Sequence, residues 1–196
     1  MPTGIAIRDA RTQLFDAAER VLLRDGPSAL TSRAVTAEAE VAKGVMHRHF
    51  TDFDDFLVQF ILDRAKAGYT TSAALLDASA GDTVVGNLTE ALIALFNSVA
   101  VAIVPLITFR DAVRERLRDT WPAGVPVLTD AVGMVAAYLD VERAAGRVQP
   151  DAPIDALAPT LIGTVHLLFA DRGRPPPSRE AVGTAVATVI SGVVTD

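Results

Sequence analysis

Apolar residues return at steps of three and four along nearly the whole chain, and nowhere do they alternate in the way a half-buried strand requires. That periodicity commits the chain to helices. We expect an all-α fold of about nine: 9–25, 32–39, 42–49, a fourth opening at Phe53, then 84–104, 106–117, 127–145, 154–170 and 179–194. Gly26-Pro27 stops the first, with a cap residue followed by one that cannot continue the helix. Thr31 is suited to cap the second and Asp52 the fourth. With 196 residues and half of them hydrophobic, the chain buries a core without help. It has no Cys, so disulfides, zinc-thiolate sites and thiol nucleophiles are excluded.

One run needs a membrane test. Ala91 to Phe109 is nineteen residues without a charge, enough to span a bilayer. It also holds Asn97, Ser98, Pro105 and Thr108, so we read it as a core helix, broken at Pro105, and expect no membrane association. Met1–Arg11 has no apolar run after a basic start, so a cytoplasmic location is expected.

The formal net charge is −6, which argues against a uniformly basic coat. The charge is uneven, however. Residues 1–52 hold seven bases and seven acids, and residues 53–196 carry the whole deficit. Within the balanced part, two short helices joined by a tight turn follow a longer one, the pattern of a helix-turn-helix unit. The second short helix presents Ala42, Lys43, Gly44, Val45, His47, Arg48 and His49. None is a carboxylate. Lys43 and Arg48 suit phosphates or guanine acceptors, the histidines donate hydrogen bonds, and Gly44 and Val45 permit close approach. These features point to double-stranded DNA as the partner. His47 and His49 stand two apart on a helix and face different ways, so no metal site is expected.

The stretch Thr31-Ser32-Arg33-Ala34-Val35, then Ala39-Glu40-Val41-Ala42-Lys43-Gly44-Val45-Met46-His47-Arg48-His49-Phe50, resembles the N-terminal domain of the tetracycline-repressor (TetR) family. The resemblance covers residues 8–60 by motif, and the rest by length and helix count. It implies a DNA-binding domain over 8–52 and a ligand-binding and dimerisation domain over 53–196. It further implies that Thr31 and Ser32 bind phosphate, that Arg33 reaches a base edge, and that Lys43, Gly44 and Val45 begin the recognition helix. His47 takes the place of a phosphate-binding Tyr, and Arg48 and His49 follow as base or backbone contacts. Phe50 would lock the unit to its core. Glu40 stands where the family has a turn Gly, and Phe53 where it has a phosphate-binding Lys, beside Asp52, Asp54 and Asp55.

The resemblance also implies a homodimer that binds a near-palindromic operator and a small hydrophobic effector. Candidates for the effector pocket are Phe60, Phe96, Asn97, Phe109, Trp121, Met134, Tyr138, His166 and Phe169. Candidates for the dimer interface are Leu161, Ile162, Gly163, Gly183, Val186, Val189, Gly192 and Val193. The same residues can equally serve as packing within one chain. No nucleophile elbow, His-Glu-x-x-His or Gly-rich phosphate loop occurs, so neither catalysis nor a cofactor is expected. The function implied is a ligand-responsive transcriptional repressor. Two alternatives stay open: a small-molecule binding protein of the same fold with weak or lost DNA binding, and a membrane-tethered regulator that uses Ala91–Phe109.

Overall fold

The computed structural model describes residues 10–78, 83–97, 99–122, 125, 127–170 and 175–195. Among them lie ten α-helices: α1 (Ala10–Asp25), α2 (Ser32–Glu38), α3 (Met46–His49), α4 (Phe53–Ala78), α5 (Val84–Asn97), α6 (Ala100–Phe109), α7 (Asp111–Leu117), α8 (Leu128–Ala144), α9 (Ile154–Ala170) and α10 (Arg179–Ile190). Single 3-10 turns precede α2 (Pro27–Ala29) and α3 (Lys43–Val45). Asp9, residues 79–82, Ser98, two residues of the 119–126 loop's apex (123 and 124) with Pro126, and 171–174 were all read in the sequence and lie outside the described residues.

The charge-free run departs from expectation. Pro105 does not break the helix: it lies inside α6, and the breaks fall after Asn97 and at Arg110. Asn97 is exposed and competes poorly for helix, whereas Ile103, Leu106 and Ile107 around Pro105 are buried, so packing outweighs the single hydrogen bond the proline forfeits. Arg110 is extended, with φ −121° and ψ 94°, and starts a separate helix. No single helix among the described residues is long and apolar enough to cross a membrane. One antiparallel bridge, Val148 to Val194, interrupts the all-helical pattern.

The chain forms two compact units. The first comprises residues 1–64 and 102–122, the second residues 65–101 and 123–196. The first unit therefore takes in the start of α4 and most of α6 and α7, beyond the 8–52 segment. The aromatic core explains why. Phe15 of α1 contacts Phe50, Phe56 and Phe60 at ring separations of 5.8, 5.6 and 5.9 Å. Phe56 and Phe60 are fully buried, at a cost of roughly 3–5 kcal/mol for truncation of such a ring to alanine. In the second unit, α5, α8, α9 and α10 enclose a core of Leu88, Leu92, Val135, Leu139, Leu161, Val165, Val182 and Val186.

Candidate nucleic-acid interface

The entry to α2 is set by Thr31, whose Oγ1 accepts from the Ala34 amide at 3.1 Å. Val35 and Thr36 are buried beneath this helix, which leaves Arg33 exposed. The turn after α2 passes through Glu40 at φ 54°, the left-handed backbone that a Gly would supply without strain. The recognition helix begins as a 3-10 turn and continues as α3. Met46 is buried and receives the Ser32 hydroxyl on its sulfur at 3.1 Å. Phe50 is buried and meets Phe56 edge-on at 5.0 Å, so α3 is pinned at its C-terminal end.

Around these anchors Thr31, Arg33, Lys43, Gly44, His47, Arg48 and His49 are exposed, while Ser32 and Val45 are half-buried. Arg33, Lys43 and Arg48 pair with no carboxylate among the described residues. Nearby acids are mostly engaged. Glu38 is bonded by Arg20 (2.8 Å) and Arg24 (2.9 Å), and these hydrogen bonds hold its carboxyl below the ordinary range. Asp52 receives a two-pronged bond from Arg116 at 2.8 and 2.9 Å and caps α4 through the Asp55 amide at 2.7 Å; its pKa falls to about 2, chiefly through Arg116. Asp55 accepts from the Gln59 side chain and the Thr51 amide, which lower its pKa in that order. Glu40 forms no ion pair among the described residues, and Asp54 feels the Arg116 charge without a direct bond to it. Phe53 lies beneath the Arg110 guanidinium at 5.6 Å. The exposed face of α2 and the recognition helix thus carries three bases that form no ion pair among the described residues, while Arg116 of α7 neutralises Asp52 in the acidic segment that follows. Nothing in the local sequence foretold that Arg110 and Arg116, more than fifty residues away, would serve this segment.

The effector-pocket candidates are distributed between the units. Phe60, Phe109 and Trp121 belong to the first: Phe60 is wholly buried among phenylalanines, Phe109 is 83% exposed and Trp121 is half-buried. Phe96, Asn97, Met134, Tyr138, His166 and Phe169 belong to the second. There Phe96 stacks on His166 at 5.9 Å and on Phe169 at 5.7 Å, and burial lowers the His166 pKa. Met134 is half-buried and Asn97 exposed. Tyr138 accepts from Asn87 at 2.9 Å and bonds to Glu142, which is buried and held by Arg147. Sequence reasoning missed Asn87, Glu142 and Arg147; isolated polar residues on apolar helices give no hint that they converge.

Among the dimer candidates, Leu161, Ile162 and Val186 spend their side chains on their own chain's core. Gly183, Val189 and Val193 are half-buried, and Gly163 and Gly192 exposed. On α9 the open row is Pro159, Thr160, Gly163 and Leu167, with Leu167 74% exposed.

Residues 14–59 match the family model described as bacterial regulatory proteins, tetR family. The chain has no match among curated proteins. Its fold is that of several solved regulators. The reduced form of NemR from E. coli aligns with a TM-score of 0.73 at 17% identity, over 95% of this chain and 98% of that one. The ketosteroid transcriptional regulator KstR2 of Mycobacterium tuberculosis gives 0.64 at 16%, over 96% and 97%. SmeT, the repressor of the Stenotrophomonas maltophilia multidrug efflux pump SmeDEF, gives 0.64 at 17%, over 96% and 92%.

Proposed function

From a chain whose residues 14–59 are a TetR-family N-terminal domain and whose fold throughout is that of TetR regulators, we propose a homodimeric, ligand-responsive DNA-binding repressor. The observation that carries this reading is the exposed set Arg33, Lys43 and Arg48, without carboxylate partners among the described residues, on a helix-turn-helix whose neighbouring acids are mostly engaged. Two copies would insert their recognition helices into successive major grooves of a near-palindrome. Repression is supported by the likeness to SmeT, and a hydrophobic effector by the likeness to KstR2. Effector binding lowers operator affinity only by as much as the effector prefers the DNA-incompetent state. The function requires no catalysis.

The test is a fluorescence-anisotropy titration with DNA flanking the protein's own coding region, against bulk competitor. Arg33→Ala is expected to lose ~1–3 kcal/mol of specific affinity per site, and Lys43→Ala to weaken all sequences alike and reduce the salt slope by about one per subunit. Absence of any fragment preferred over competitor sinks the reading. It would favour instead a small-molecule binding protein, for which Glu40, in no ion pair among the described residues, and the arginine-covered Phe53 speak.

A further inference from the structure

A cleft of about 250 Å³ in the first unit is lined by Pro27, Ser28, Pro105, Leu106, Phe109 and Arg110. Its walls are mostly apolar, and the Phe109 ring is left bare to solvent. Its charge is unusual for this protein. Four described basic residues are half-buried: Arg64, Arg110, Arg143 and Arg147. Arg64 is paired with Asp16 and Glu19, Arg143 with Asp140 and Arg147 with Glu142. Arg110 has no carboxylate within reach among the described residues. It donates from Nη2 to the Leu30 carbonyl at 3.1 Å and covers the Phe53 ring, which leaves most of its five N–H donors uncommitted. A partly desolvated guanidinium with no counter-ion among the described residues, at the edge of an apolar cleft, is a place suited to an anion with an apolar body.

We propose that this cleft binds a compact carboxylate bearing an aromatic or branched apolar group, with the carboxylate on Arg110 and the apolar group between Phe109, Leu106 and the two prolines. The volume lies below the ~300 Å³ at which pockets for drug-sized ligands begin, so the occupant is small. The walls come from the turn that leads into α2 and from the α6–α7 corner, and Arg110 already holds the carbonyl just before Thr31. An occupant therefore sits on the entry to the recognition unit. On the regulatory reading above, that makes the cleft an effector site apart from any pocket in the second unit.

The probe is 4-fluorobenzoate, followed by fluorine NMR on the full chain, with 4-fluorobenzamide and acetate as controls. Saturable binding in the millimolar range is expected, weakened at least about tenfold in Arg110→Gln and in Phe109→Ala, and by a similar factor for both control compounds. Thermal melts establish that each variant is folded. Because Phe109 is exposed, Phe109→Ala remains a valid test if Arg110→Gln unfolds. Equal binding by the amide, undiminished binding in the folded variants, or no saturation in the wild type overturns the proposal. Arg33→Ala should weaken operator binding as stated above and leave the probe untouched, so this site and the DNA reading can fail separately.

Discussion

Gly44 lies at the tip of the recognition unit with nothing within 4 Å of where a Cβ would sit, and its φ is outside the left-handed region. Neither backbone nor packing within the chain needs a glycine there. Gly44→Ala should therefore raise stability by ~0.5–1 kcal/mol in urea titration while lowering operator affinity, because the added methyl meets DNA and nothing else. Unchanged affinity would take Gly44 off the interface. Glu40 is the opposite case. Its φ of 54° strains an L residue by ~1–2 kcal/mol, so Glu40→Gly should stabilise the domain by a net ~1 kcal/mol. By removing an unpaired carboxylate it should also tighten DNA binding, most visibly at low salt. The turn itself was legible in the sequence, since the apolar pattern lapses at Glu40-Val41; the sign of φ needed the structure.

Helices α5 and α8 are joined by a polar chain rather than by apolar packing alone. Asn87 donates to the Tyr138 hydroxyl, which bonds to Glu142, itself held by Arg147. Burial is the main reason the Tyr138 phenol is pushed up to about 12 from its usual value near 10, with the Glu142 contact adding to it. The unfolded chain then ionises this tyrosine first. Its contribution to stability is complete below pH ~10 and is lost as pH rises through about 12. Tyr138→Phe should flatten that alkaline loss in pH-dependent melts, at a cost of ~1 kcal/mol at neutral pH for the missing hydrogen bond. The same alkaline slope in both proteins would locate the titrating group elsewhere. Element boundaries show a related division. Gly26-Pro27 ends α1 as read from the sequence, because cap chemistry is local; Pro105 lies within a helix because Ile103, Leu106 and Ile107 are buried around it.

At the scale of the whole molecule, the dimer expectation transfers to a different residue. Leu161, Ile162 and Val186 are buried in their own chain, so substituting them would damage folding and association together. Leu167 is 74% exposed on the row with Gly163 and Thr160. Leu167→Glu should leave the melting temperature of the isolated chain nearly unchanged, shift sedimentation from dimer to monomer and weaken operator binding, since half-sites are read two at a time. A variant that still sediments as a dimer would remove α9 from the interface.

Periodicity and cap residues act over one or two turns, so the amino-acid sequence alone determined that the chain is helical, where the helix-turn-helix lies, and that Lys43, Gly44, His47, Arg48 and His49 face outward, whereas Val45, read as outward too, is half-buried. Convergence of distant residues is a tertiary matter. Only the folded structure decided that Phe60 joins the Phe15 core, that Arg116 neutralises Asp52, and that Arg110 has no counter-ion among the described residues beside an open cleft. Each depends on which helix faces which, and that choice is made by the burial of whole apolar faces rather than by any local pattern.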